Sequence, residues 1–485
     1  MINLCRFTNA LQRTCRVLMR DVRRRTFLST NFKRDYSSAL YISGNKAYKA
    51  FAFLSPYLDC DERFADMEKL RKELVLRGMN DVNVIQLKNA WDFYLKMVGD
   101  RSALESNNSE LAGRVKSLLE SPERTTEQEQ EILKLRTQLN IIRQDLKTIK
   151  EAIWELDEDV MERILKLPNE LDPRTPIDES VVLKSIGSVL ELSQEDKRRS
   201  HIDIGTSLDL LQYKNPMHYY LCNDAALFEL AILAHAGRIF GENDMVRIVG
   251  TDFSRSLVVE ASGLNHEDPT AAFVLENHNE VERGSPNRMH LVGGASLVSF
   301  LILHTKQLIN PNQFPLKYFT TGRQYTPVPR DAQVCGLFTA CQASVAHAFV
   351  VVKDTRSEEY ETRFNELLEN VCRLYDDLDV HYRVVMRAAS ELQPCEGLRV
   401  SFEMWSPFAN QYVEVGHVSA YGTYFSKRLL IAYQTPRGRD FPAMISGTVL
   451  SVPRLLACML EQKPDEFVIP PRIAELVPSD DYTTT

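Results

Sequence analysis

The 485-residue sequence has no C-x-x-C pair, no H-E-x-x-H pair and neither of the glycine loops G-x-x-x-x-G-K-[ST] and G-x-G-x-x-G. Its nine cysteines are scattered from Cys5 to Cys458, a pattern that argues against a structural zinc site and a disulfide framework and fits a reducing compartment. The missing loops exclude nucleotide chemistry of the P-loop or dinucleotide-fold kind, and Gly293-Gly294 reads as a turn rather than a phosphate loop. Long apolar runs are missing too. Pieces such as Ala348–Val352 fall far short of the roughly 18 residues a membrane-spanning helix needs. No internal repeat or low-complexity tract is visible.

What is present describes a globular chain of two or three domains, 44% hydrophobic and 26% charged. Its charge is uneven. Residues 1–34 hold nine Lys or Arg against one acid, Asp21, which leaves 49 basic and 65 acidic residues in 35–485. Arg-rich, Ser/Thr-containing and acid-poor, the leader 1–34 reads as a mitochondrial transit peptide destined for the matrix; a basic nucleic-acid-binding tail is the alternative. The acidic body speaks against non-specific nucleic-acid binding, which depends on a basic surface.

Behind the leader, Phe64, Met67, Leu70 and Leu74 mark one amphipathic stretch, and Val84, Leu87, Trp91, Tyr94 and Val98 another. After the turn signal Glu120–Thr126, apolar residues fall at Ile132, Leu135, Leu139, Ile142, Leu146, Ile149, Ile153, Leu156 and Val160. Those steps alternate between three and four, a heptad seam. Two such helices joined by a short turn cover each other's seams only when antiparallel, so residues 58–166 are expected to form a long helical hairpin. Gly78-Met-Asn80 and the polar stretch Ser106–Glu110 are expected to loosen or break its first helix. Three prolines between Pro168 and Pro176 make 167–180 a linker. Beyond it, a helix face at Leu227, Leu230, Ala231 and Ala234 leads to a strand at Met245–Val249. Short strands are expected at His347–Val352, His381–Met386, Val400–Trp405 and Leu429–Tyr433, and a last helix at Val452–Gln462. This pattern predicts an α+β body over 181–485, with a largely antiparallel sheet flanked by helices.

Hairpin, Leu-Pro-Asn linker and antiparallel α+β body in this order resemble the seryl-tRNA synthetases, a family of class II aminoacyl-tRNA synthetases. The resemblance covers roughly 58–475 and implies a tRNA-binding arm followed by a catalytic domain. It also implies an active site whose state can be followed position by position. Where the family reads F-R-x-E, this chain has Gly322-Arg-Gln-Tyr325: Arg323 keeps the α-phosphate arginine and Tyr325 replaces the glutamate. Further on, the retained Gly336, Leu337, Phe338 and Gln342 fix the alignment. There, Thr339 replaces a phosphate-binding arginine, Ala343 the phenylalanine that stacks on adenine, and His347 a serine-binding glutamate. The T-x-E loop that contacts serine becomes Gly294-Ala-Ser296. Glu414, a candidate Mg²⁺ or ATP ligand, persists, but His417 and Ala420 break its motif. In the third family motif Arg454 keeps the γ-phosphate arginine, while Val449 and Pro453 replace glycines. Val449 is expected to intrude on the ligand, whereas Pro453 is tolerable in a first helical turn. This set of losses is most similar to that of the non-charging, synthetase-like mitochondrial proteins of insects.

Four lost polar or ionic contacts, at roughly 1.5–3 kcal/mol each, amount to roughly 6–12 kcal/mol before non-additivity. The resemblance therefore implies a non-catalytic protein acting through protein partners, and through RNA only if a local basic patch exists. The arm gives RNA no support: residues 62–119 hold ten basic and nine acidic residues, and 127–166 hold seven and ten. An active ATP-dependent ligase or transferase with altered substrate is the competing reading. No cofactor or metal is expected, and the three retained residues leave weak ATP or Mg²⁺ binding open. The family's dimer motif maps to Leu227, Leu230, Ala234 and Ile248. It implies either a homodimer or a heterodimer with the mitochondrial seryl-tRNA synthetase.

Overall fold

A computed structural model describes residues 38–40, 54, 56–120, 125–189, 193–276, 288–329 and 332–478. The basic leader lies outside the described residues. The arm begins with two short helices, α1 (Cys60–Ala65) and α2 (Met67–Leu76), and continues as α3 (Val84–Glu120) and α4 (Thr126–Leu165). Thr125 starts α4 with a reciprocal cap: its side chain accepts from the Gln128 N–H, and the Gln128 side chain accepts from the Thr125 N–H. The heptad seam is buried as its spacing predicts, with Leu156 partly covered. Near the tip Leu135 and Leu139 pack on Val115, and at the base Val160 and Ile164 join Leu87 and Trp91. The hairpin is therefore antiparallel. The chain does break after α2, at Arg77–Asn83, but α3 runs through Ser106–Glu110 without interruption. Those polar residues are mostly exposed, and a continuous seam on the other face outweighs their weak helix propensity.

The proline-rich linker is docked against the body. Asn169 Nδ2 donates to the carbonyls of Cys395 and Tyr421 at 2.9 and 2.8 Å, and Thr175 Oγ1 donates to that of Gly397 at 2.7 Å. Arg63 donates to the Pro168 carbonyl, and Arg77 to those of Asn169, Gln393 and Glu396. Proline supplies no N–H, so the linker presents surplus carbonyls, and guanidinium groups satisfy them.

Eight strands form the main sheet of the body: β1 (Val181–Ile186), β2 (Val246–Arg247), β3 (Leu316–Tyr325), β4 (Gln342–Val352), β5 (Tyr382–Met386), β6 (Leu398–Ser406), β7 (Gln411–Gly422) and β8 (Ala443–Ser451). Their order is β1-β5-β6-β7-β8-β4-β3-β2, antiparallel throughout except for the β2–β3 pair. Helices flank it, among them α5 (His201–Ser207), α6 (Asn223–Glu242), α7 (Ser256–Ala261), α8 (Leu297–His304), α9 (Glu358–Asp376), α10 (Tyr424–Leu429) and α11 (Val452–Gln462). Helices α6, α9 and α11 build the main core on one face of the sheet. On the other face, α7, α8 and α10 build a second core around Phe300, Phe349 and Phe425.

Two expected strands differ. Met245–Val249 shrinks to Val246–Arg247 at the sheet edge, where only one neighbour supplies hydrogen bonds. Leu429–Tyr433 splits into the end of α10, a left-handed residue at Leu430 (φ 53°) and a strand beginning at Ala432. Apolar runs of this length do not distinguish helix end from strand.

Replacing Leu139 by Asp places an unpaired charge in the dry seam opposite Val115. Trypsin is expected to cut the hairpin tip at least tenfold faster than in the wild type, an opening cost of about 1.4 kcal/mol, while the body past Val181 stays intact. Unchanged cleavage would show that the seam does not hold the arm together.

Candidate active site

Strand alternation decides which side chains meet. His347 on β4 pairs with Thr320 of β3 and Thr448 of β8, and its ring stacks on Phe300 of α8 at 5.6 Å. Its Nε2 lies 2.9 Å from Ser446 Oγ and its Nδ1 3.1 Å from Thr448 Oγ1. Burial, together with the neighbouring His417, lowers its pKa to about 3, so the ring is neutral. Both ring nitrogens are occupied by hydroxyl groups, which leaves neither for a substrate.

Glu414 lies on β7 on this same α8 side. Its carboxylate accepts from Arg399 Nε at 3.1 Å, from a terminal nitrogen of the same guanidinium, and from Ser401 Oγ at 2.6 Å. His417 Nδ1 stands 3.4 Å away. Burial alone would raise the Glu414 pKa, but Arg399 and then His417 overcome it and hold the carboxyl well below its usual range. Arg399 is held in turn by Glu396 Oε1 at 2.9 Å, and Glu396 accepts from Ser419 Oγ at 2.7 Å.

Arg323 does not reach this group. It pairs in register with Ser344, and both side chains bond Glu229 of α6, at 3.4 and 2.8 Å. They therefore lie on the α6 side of the sheet, opposite His347. The β3 residue on the α8 side is Gln324, paired with Ala343 and accepting from Thr448 Oγ1 at 3.1 Å. A one-residue difference in register turns every side chain of a strand to the other face, and no local feature of the sequence fixes it here. Tyr325 shares the parity of Arg323 at the end of β3.

Val449 also differs from expectation. It lies in a bulge of β8, wholly buried in the main core, with its carbonyl accepting from the Tyr375 hydroxyl at 3.0 Å. It fills core volume rather than intruding on a ligand. Ala420 is likewise buried in the main core. Pro453 sits in the first turn of α11, where its missing N–H costs nothing.

The remaining positions are held by local structure. Ser296 caps α8: its side chain accepts from the Ser299 N–H and donates to the Gly293 carbonyl at 2.7 Å. Gly294 passes so close to Gly250 that a Cβ would lie 2.8 Å from that carbonyl oxygen. Thr339 turns back to the Gly336 carbonyl at 3.3 Å. Arg454 donates to the backbone carbonyls of Phe338 at 3.1 Å and Glu414 at 3.2 Å, and burial lowers its pKa. It ties the turn at 336–339 to β7.

Two arrangements escaped sequence reasoning. One is Arg399, which stands alone in a strand pattern and carried no motif. The other is the buried chain Ser406–Glu461–His201, in which His201 Nδ1 lies 2.7 Å from Glu461 and its Nε2 accepts from the Leu337 N–H at 3.0 Å. Glu461 falls within an otherwise buried helix, which was the available signal.

Among the described residues no three His, Cys, Asp or Glu side chains are grouped to hold a metal ion. Glu414 does not fit a divalent cation, because Arg399 and Ser401 already engage both oxygens. A triphosphate fits no better, with Arg323 on the other face of the sheet and Arg454 committed to two carbonyls.

Residues 281–463 match the class II core domain of tRNA synthetases (G, H, P, S and T). The chain is 28% identical over 428 residues to the serine–tRNA synthetase-like protein Slimp of Drosophila melanogaster, covering 87% of this chain and 88% of that one. It is 24% identical to the mitochondrial serine–tRNA ligase of Mus musculus, over 88% and 84% of the two chains. The seryl-tRNA synthetase of Pyrococcus horikoshii, solved with ATP, superposes with a TM-score of 0.73 at 17% identity, covering 87% of this chain and 98% of that one. Fold and core domain thus define a class II aminoacyl-tRNA synthetase body. Within that class, the relatives that match most of the chain are a seryl-tRNA synthetase-like protein and seryl-tRNA ligases.

The His347 ring gives a measurable pH dependence. Its folded pKa of about 3 lies below the 6.5 of a free histidine, so between these values the unfolded chain binds more protons. Stability is expected to fall by about 1.4 kcal/mol for each pH unit below 6.5 from this group alone. Chemical denaturation at pH 7.5 and 5 should show a shallower loss for His347→Gln than for the wild type. Parallel losses would mean that the ring is protonated in the folded state.

Proposed function

We propose that this seryl-tRNA synthetase-related protein does not form seryl-tRNA and serves mitochondria through the surfaces it has kept. One observation carries the reading: the Glu414 carboxylate is bound by Arg399, an internal cation standing where an active site would need an open one. Seryl transfer begins with attack of a carboxylate on the α-phosphate of ATP, and the charge that develops must meet fixed cations. Here the retained cations are each committed to a carboxylate or a carbonyl. Tyr325, Thr339, Ala343, His347, His417 and Ser296 add no replacement. The leader 1–34 and the mitochondrial ligases among the relatives support a matrix location. Among the described residues no helix is long and apolar enough to cross a membrane.

Purified protein is expected to show no serine-dependent exchange of pyrophosphate into ATP and no serylation of tRNA. Tyr325→Glu alone should not restore either, because groups that act as a unit do not recover singly. Measurable seryl-tRNA formation by the unaltered protein would favour an active ligase with altered substrate.

The surface around α6 supports a dimer as the working form. Leu227, Leu230 and Ala234 line the side of α6 turned away from Ala231 and Phe228, which lie in the main core. Leu230 is 56% exposed and Val249 90%, while Ile248 is half-buried against the second core. Such apolar exposure supports an interface there. A two-fold contact of this kind accepts either a second copy or a near-copy such as the mitochondrial seryl-tRNA synthetase. Leu230→Glu is expected to convert the assembly to monomer by light scattering. Ile248 faces the second core rather than this surface, so Ile248→Glu is expected to lower stability instead of splitting the assembly. A wild-type monomer that captures no synthetase at low salt would exclude both forms.

A further inference from the structure

The residues just past the basic leader are anchored in the body. Ser38 Oγ donates to Glu260 Oε1 at 2.8 Å, and the backbone N–H groups of Ala39 and Leu40 both donate to Glu260 Oε2, at 2.6 and 2.7 Å. Ala39 and Leu40 are wholly buried, and Leu40 joins Leu54, Leu257 and Val258 in the second core. Glu260, on α7, is only 8% exposed, and His266 Nε2 lies 3.7 Å from its carboxylate. An ionised carboxylate at that depth requires several donors. Three of them come from a segment some 220 residues earlier in the chain.

We propose that Glu260 is the docking site for the first residues of the mature chain, and that leader removal therefore ends between Arg34 and Ser38. This rests on the targeting reading of residues 1–34. A processing peptidase adds water across one peptide bond in that stretch, leaving a carboxylate on the leader and an ammonium on the body. The new ammonium lies at most three residues along the chain from Ser38, and its charge is opposite in sign to that of the Glu260 carboxylate. A cut beyond Leu40 would take three donors from that carboxylate and uncover the second core. The short stretch 38–40 thus ties processing of the leader to stability of the folded body.

The test compares full-length bodies starting at residue 35 and at residue 41, each with Glu260 and with Glu260→Ala. With Glu260 present, loss of 35–40 is expected to lower Tm by about 4 °C or more. With Glu260→Ala the same deletion should cost markedly less, because the partner is already gone. Equal losses in both backgrounds would overturn the proposal. Should Glu260→Ala fail to fold, Glu260→Gln keeps the shape, removes the charge and takes its place. N-terminal sequencing of the protein recovered from mitochondria is expected to begin at residues 35–38. A first residue at 41 or later, or an intact Met1, overturns the boundary. A protein absent from mitochondria overturns the targeting reading instead, and the thermal comparison still decides the anchor.

Discussion

A carboxylate buried in a sheet must find a cation, and in this protein Glu414 finds Arg399 one strand away. The same rule repeats along that face of β5, β6 and β7. Glu403, 2% exposed, is held by Arg383 and Arg387, and Glu396, 1% exposed, by Arg399. Removing one partner of such a pair leaves a charge stranded at low dielectric, which costs several kcal/mol. The network is therefore self-satisfied and resistant to rearrangement. A face built to bind a charged substrate would keep some of these groups open, and here their partners come from the protein itself.

The neighbouring positions follow the same logic in neutral form. His347 exchanges hydrogen bonds with Ser446 and Thr448, Gln324 takes the second bond of Thr448, and Phe300 covers the ring. Each polar atom named here is paired within a few ångströms. Arg454 acts in the same way at the sheet's end, where two backbone carbonyls accept its N–H groups. These buried groups are tolerated because they pair with one another rather than standing unsatisfied.

The arm is joined to the body through carbonyls that prolines cannot pair. Arg77 reaches the linker and also the Gln393 and Glu396 carbonyls. Arg428, its guanidinium 3.4 Å over the Tyr424 ring, reaches those of Leu165 and Leu167. The Lys427–Asp59 ion pair at 2.8 Å closes the other side. The hairpin is thereby held at its base by several bonds, while its outer turns depend on the seam and on exposed ion pairs such as Arg114–Glu131 at 2.9 Å.

The sequence by itself determined the elements whose pattern repeats. The heptad steps from Ile132 to Val160 specified the hairpin, because one mismatch in period would expose the seam. The helix Val452–Gln462 and the antiparallel α+β body were legible for similar reasons of length and periodicity. The retained Gly336 marks a position with φ of 70° whose Cβ would strike His201. Only the tertiary structure decided which face each strand residue occupies. Arg323 reads as a pocket residue in sequence and lies against Glu229, and Val449 reads as an obstruction and fills the core. Strand alternation makes a one-residue ambiguity a complete reversal, and no local signal corrects it. Nor could the sequence pair Arg399 with Glu414 or Ser38–Leu40 with Glu260. Those contacts join residues that come together only when the sheet closes and the second core forms.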